Sequence, residues 1–113
     1  MDGALADESS GRLRVSSARG LGETLVVVAV GEVDFGTSPQ LSEALARAVT
    51  SGVHRVLVDL GGVSFCDCSC VNVLLAARQD GLENGLVVVC EGLSPFAERV
   101  FELTGVGSLL RSA

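Results

Sequence analysis

The unbroken run Thr24-Leu-Val-Val-Val-Ala-Val30 constrains this chain more than any other stretch. β-branched residues keep their preferred rotamers in a pleated strand and lose freedom in a helix, so a short apolar run of this kind predicts a central strand buried on both faces. Val53 to Leu60 and Leu86-Val-Val-Val-Cys90 have the same character. Stretches of helical periodicity separate the three. Such alternation of strand and helix predicts an α/β fold whose sheet is largely parallel, with right-handed crossovers.

Residues 1–11 are small, acidic and polar and read as a disordered tail, leaving 12–113 as a single domain. From Leu13, the alternation Leu-Arg-Val-Ser-Ser predicts a strand with one wet face, and Gly20-Leu-Gly22 turns it into a hairpin with the central run. Gly31-Glu-Val-Asp34 closes that run. Ser38 as N-cap and Pro39 at the first helical position start a helix that lasts to about Thr50, with Leu41, Ala44, Leu45, Ala48 and Val49 on one stripe. Beyond Leu60, Gly61-Gly62 loosens the exit of the next strand. A second helix, about Cys70 to Gly81, is apolar over most of its surface and so reads as pinned between sheet and neighbour. Asn84-Gly85 turns the chain into the Leu86–Cys90 strand, which again reads as buried. Ser94-Pro95 opens a third helix through Leu103, Thr104-Gly105 stops it, and Leu109-Leu110 adds a short edge strand. The expected architecture is a mixed, mostly parallel sheet of four to five strands with helices packed on it and an antiparallel N-terminal strand.

At 113 residues and 48% apolar content, the chain suffices for one packed core. It contains no run of about 18 apolar residues and no apolar segment behind the N-terminus, so a soluble, cytoplasmic protein is expected, without a membrane span or signal peptide. The formal charge is −6, and all eight basic residues are scattered Arg, which disfavours direct contact with nucleic acid. Because lysine is absent, P-loop, Schiff-base and lysine-base chemistries are excluded. No catalytic constellation and no cofactor motif is visible, and an enzyme is not expected.

Between a strand-like and a helix-like run lies Val63-Ser-Phe-Cys-Asp-Cys-Ser-Cys-Val-Asn72, a strand-to-helix turn that exposes free N–H groups and a positive helix end. Asp67 or Ser69 there reads structurally as the cap of the second helix. The functional reading of Ser69 is phosphorylation, which a helix N-terminus tolerates and a docked partner does not. Reduced thiols are expected in this chain, with Cys66 and Cys90 as small buried hydrophobes. Cys68 and Cys70, near the helix end, are redox candidates through a lowered thiol pKa. Zinc is not expected, since the cysteines alternate and His54, the sole histidine, is remote. Glu32 and Asp34 form a weak candidate acid–base pair beside a helix start, whereas Asp59 reads as a structural carboxylate needing an Arg or N–H partner, and His54 as a surface residue.

Gly31-Glu-Val-Asp34, Val56-Leu-Val-Asp-Leu-Gly-Gly-Val-Ser-Phe65, Cys66-Asp-Cys-Ser-Cys70 and Phe101-Glu-Leu-Thr-Gly-Val106 together resemble, in order and spacing, a STAS domain of the bacterial anti-sigma factor antagonist type. The resemblance covers roughly Arg12 to Leu110. It implies that the chain binds a serine-kinase anti-sigma factor, that this kinase uses its own ATP to phosphorylate Ser69, and that a phosphatase reverses the reaction. It also implies a partner-facing surface built from Asp67, Cys68, Cys70 and Asn72, with Glu32 and Asp34 at its edge. Cys68 stands where the family has serine and Cys70 where it has glycine. The alternative is a STAS-like scaffold, or a ligand- or redox-sensing domain using Cys68 and Cys70, that is never phosphorylated.

Overall fold

A computed structural model of the chain describes the backbone of residues 4–9 and the whole of residues 11–110. Five strands lie side by side in sequence order: β1 (Ala4–Ser9), β2 (Leu13–Arg19), β3 (Thr24–Val33), β4 (Arg55–Cys66) and β5 (Val87–Glu91). The β1–β2 and β2–β3 pairs are antiparallel, and the β3–β4 and β4–β5 pairs are parallel. Helices α1 (Ser38–Val49) and α2 (Cys68–Glu83) supply the parallel crossovers, and α3 (Pro95–Thr104) and α4 (Gly107–Leu110) follow β5. The mixed sheet with helices packed on it is the expected architecture.

Strand alternation decides which residues reach the core. Leu13, Val15, Leu25, Val27, Ala29, Val56, Val58, Leu60, Val88 and Cys90 are buried beneath the helices. Their neighbours Val26, Val28, Leu57 and Val89 are only half-buried, and Val30 and Val87 are exposed. The expectation that β3 and β5 are buried on both faces is thus corrected. β-branched residues favour a strand whichever face they occupy, so an unbroken run does not reveal whether a second helical layer exists.

Other boundaries differ from expectation for local reasons. Ala4–Ser9, placed in the disordered tail by composition, is an edge strand. β2 presents an otherwise unpaired row of N–H and C=O groups that can recruit a segment of weak strand propensity. The remaining tail positions, 1–3 and 10, lie outside the described residues, as do 111–113. β4 does not stop at Leu60 but continues to Cys66, its pairing with β3 shifting between Val28 and Val30, opposite Asp59 and Gly62. Gly61-Gly62 therefore accommodates a bulge inside the strand. α2 runs past Gly81, where a Cβ would lie 2.9 Å from Leu86 Cδ1 and Val88 Cγ2, so that glycine permits the helix to approach the sheet. Leu109-Leu110 is helical, not an edge strand, and Leu110 is fully buried. Gly105, in the left-handed region at φ 74°, ends α3 as expected.

Gly31 joins the hairpin to the parallel half of the sheet. Its φ is 118°, and a Cβ there would lie 2.2 Å from the carbonyl oxygen of Arg12. The same carbonyl accepts the Glu32 N–H at 2.8 Å, so it cannot retreat without breaking that bond. Gly31→Ala is expected to destabilise the fold by about 2 kcal/mol or more, from backbone strain and the displaced β2. Urea unfolding of the two proteins measures this, and an unchanged midpoint would show that β2 shifts freely.

Candidate functional site

At the end of β4, Cys66 pairs with Val33 of β3, and the Asp67 N–H donates to the Val33 carbonyl at 3.3 Å. Asp67 then leaves the strand with extended backbone, φ −125° and ψ −168°, and is the N-cap of α2. Its Oδ1 accepts the Ser69 N–H at 2.9 Å and also the Ser69 hydroxyl. Of the two capping candidates, Asp67 holds the role, because a residue with extended φ and ψ must precede the first helical turn. Ser69, in that turn, keeps a partly exposed side chain whose hydroxyl is oriented by the capping carboxylate. Cys68 and Asn72 are exposed on the same turn, one helical period apart. Cys70 faces the opposite way and is fully buried, so it is corrected from a partner-facing residue to a core residue.

The neighbouring loop, between β3 and α1, is organised by Asp34. Its Oδ1 accepts N–H bonds from Gly36 at 2.9 Å and Thr37 at 3.0 Å, and its other oxygen accepts from the Arg12 guanidinium, which also reaches Glu32 Oε1 at 3.3 Å. The N-cap position of α1 is Thr37 and not Ser38, yet the Thr37 hydroxyl turns back to the Glu32 carbonyl at 2.7 Å. Asp34 and Glu32 are thus ion-pair partners of one Arg, with no geometry for acid–base work. Hydrogen bonding from Arg12, aided by Thr37, holds the Asp34 carboxyl down to about 2. Asp59 likewise serves structure, accepting the Gly61 N–H at 2.8 Å, and His54 is exposed just before β4.

Three phenylalanines lie exposed at strand exits and the start of α3. Phe35, in the β3–α1 loop, is 86% exposed, and Phe65 of β4 packs against Phe96 of α3 with ring centroids 5.1 Å apart and planes tilted by 48°. A shallow groove of about 460 Å³, lined by Gly61, Gly62, Val63, Ser64, Ser94, Pro95 and Phe96, runs beside that pair. Sequence reasoning passed over these rings, although the clue was present: of four phenylalanines, only Phe101 occupies the buried stripe of a helix.

A family described as Mlab, STAS domain matches residues 16–111. The chain belongs to the STAS domain family. Among its relatives is BtrV of Bordetella bronchiseptica, provisionally an anti-sigma factor antagonist, which is 35% identical over 86 residues spanning 75% of this chain and 73% of that protein. A solved anti-sigma factor antagonist from Mycobacterium paratuberculosis superposes with a TM-score of 0.75 at 27% identity, covering 91% of this chain and 86% of that one. The antagonist SpoIIAA in its unphosphorylated form shares the fold at 22% identity, with a TM-score of 0.73 over 88% of this chain and 87% of its own.

Within this STAS domain the two departures from the family pattern behave differently. Cys68 simply exposes its side chain on the first turn of α2. Cys70 occupies ordinary helical backbone, since among the described residues no non-glycine has positive φ, so the site makes no demand for glycine there. The expectation of a lowered Cys70 pKa is overturned: a hydrogen bond with Cys66, reinforced by burial, pushes that thiol up. Cys66 and Cys90 are buried as expected, and desolvation raises Cys90 to about 12. No cluster of potential metal ligands occurs among the described residues.

Two outcomes follow for the STAS domain's stability. Asp67→Ala removes the α2 cap and should cost about 1 kcal/mol in chemical denaturation, with amide exchange accelerating first at Cys68–Cys70. Because the folded Asp34 pKa lies below its unfolded value of about 4, its contribution is complete above that value and is lost as pH falls toward about 2. Arg12→Gln should raise the Asp34 midpoint toward the ordinary carboxylate range and flatten stability between about pH 4 and 2; carboxyl NMR titration reads the midpoint directly, and an unmoved midpoint would refute the Arg12 assignment.

Proposed function

We propose that this STAS domain is a regulatory binding module, an anti-sigma factor antagonist, that docks a serine-kinase anti-sigma factor and is switched by phosphorylation of Ser69. The observation that carries this reading is the Ser69 hydroxyl: partly exposed, oriented by Asp67, and set in the first turn of a 16-residue helix. A phosphoryl group there adds about −1.5 to −2 charges. The positive end of α2 tolerates that charge, and no core side chain has to move. The Asp67 carboxylate, by contrast, loses its hydroxyl donor and faces a like charge. Phosphorylation therefore rearranges the exposed turn while leaving the fold intact.

The module acts by binding and not by turnover, in the cytoplasm, where the kinase supplies the ATP and a phosphatase restores the hydroxyl. Asp67, Cys68 and Asn72 form the polar part of the docking surface, Glu32 its acidic edge, and Phe35 the apolar part. Among the described residues no helix is long and apolar enough to cross a membrane. The antagonist SpoIIAA, solved in unphosphorylated and phosphorylated forms, offers a precedent for such a modification on this fold.

Incubation with the cognate anti-sigma kinase and ATP should add one phosphate by intact mass, and Ser69→Ala should abolish the addition. Ser69→Asp should weaken kinase binding by about tenfold or more, roughly 1.4 kcal/mol. Equal affinities for Ser69→Asp and the unaltered chain would sink the switch.

A further inference from the structure

The helices cover one face of the sheet and leave the other open. α1, α2 and α3 pack on the face of Leu25, Val27, Val56 and Val58, and among the described residues no element packs on the opposite face. The strand register lays out what that open face carries. One row crosses β2 to β5 as Ala18, Val26, Leu57 and Val89, without a charge. Val28 and Val30 extend the apolar stripe along β3 and Val87 extends it along β5, with Val30 and Val87 each 47% exposed. On β4, Arg55 and Asp59 bound the stripe on either side of Leu57, and Asp59 keeps its Oδ1 on the Gly61 N–H. The two margins have opposite signs. Exposed Arg14 lies on β2 in register with Val30 and Gly62, and exposed Glu91 lies on β5 in the neighbouring row, with Ser16, Val28 and Asp59.

We infer that this open face docks a second copy of the chain, sheet on sheet, about a two-fold axis that runs along the strands between β3 and β4. That axis lays β4 of one copy over β3 of its partner and β5 over β2, and keeps the rows level. Large side chains then meet small ones: Val89 faces the Ala18 position and Val30 faces the Gly62 position, while Val26 and Leu57 face each other. Arg14 and Glu91, one row apart on opposite margins, become neighbours across the interface, twice by symmetry. A different protein would need a basic and an acidic margin at the same spacing; a second copy supplies them. Strands β2 to β5, at about 4.8 Å spacing and about eight residues of ~3.3 Å rise, present roughly 500 Å² each, or about 1,000 Å² for both copies, the lower limit of a specific interface. The dimer is therefore reversible and not obligate. Both Ser69 turns lie at the carboxyl ends of the strands, off this face, so the inference stands whether or not Ser69 is phosphorylated.

Sedimentation velocity of the full chain from about 5 to 500 µM reads the association. The mass should rise from 11.6 kDa toward twice that value. Glu91→Arg and Arg14→Glu should each weaken the dimer by about fivefold or more, since each turns two attractive pairs repulsive, and the double variant should recover to within about twofold. Urea midpoints report whether the variants stay folded. In methyl NMR of the unaltered chain, Val26, Val28 and Val89 should shift with concentration and Leu103 of α3 should not. A monomer at every concentration, which would leave the face to another partner, overturns the proposal. So does a dimer indifferent to both charge reversals, or one whose concentration-dependent shifts are confined to the helices. The methyl shifts decide the matter even if a variant fails to fold.

Discussion

The parallel pairing of β3 with β4 is the interaction on which the rest of the structure depends. It begins at Thr24 opposite Arg55, passes through two register irregularities, and ends at Val33 opposite Cys66. Because the two strands end together, the β3–α1 loop and the β4–α2 turn emerge side by side, joined by the bond from the Asp67 N–H to the Val33 carbonyl. Parallel sheets commonly place their functional loops at the carboxyl ends of strands, and this one brings Asp67, Ser69 and the loop carrying Phe35 to one rim. The Gly61-Gly62 bulge extends β4 far enough to reach that rim.

Carboxylates do much of the local organisation there. Asp67 caps α2 and orients the Ser69 hydroxyl, while Asp34 gathers the N–H groups of the following turn and anchors Arg12 from the start of β2. Each satisfies backbone donors that would otherwise be orphaned at a strand exit or helix start. An acidic chain with few cations thus uses its acids as structural acceptors, and the partly exposed Ser69 hydroxyl at the rim donates to one of them. The thiols lie one layer deeper. Cys66 and Cys70 close the core beneath the same turn, which ties the chemistry of the surface to the packing below it.

Much of this was legible in the residues. The β-branched runs, the Pro39 and Pro95 helix starts, and the Gly105 stop reported local preferences that tertiary packing did not override. Asp67 and Ser69 stood out because small polar residues between a strand-like and a helix-like run have few roles other than capping and modification. Less could be read of Cys70, whose neighbours Cys68 and Ser69 face outward; only the rotation of α2 turned it inward. Phe35, Phe65 and Phe96 escaped notice because an aromatic residue at a strand exit fits a core as readily as a surface.

By itself the sequence determined the order of strands and helices, the parallel half of the sheet and the location of the strand-to-helix turn that carries Asp67 and Ser69. These rest on short-range preferences and on hydrophobic period, which act within a few residues. Only the tertiary structure decided which sheet face stays open, that β1 adds to the edge, that β4 runs through its glycines, and that Cys70 turns into the core. Those outcomes depend on which distant backbone groups remain unpaired and which surfaces find a covering layer, and no local pattern encodes either.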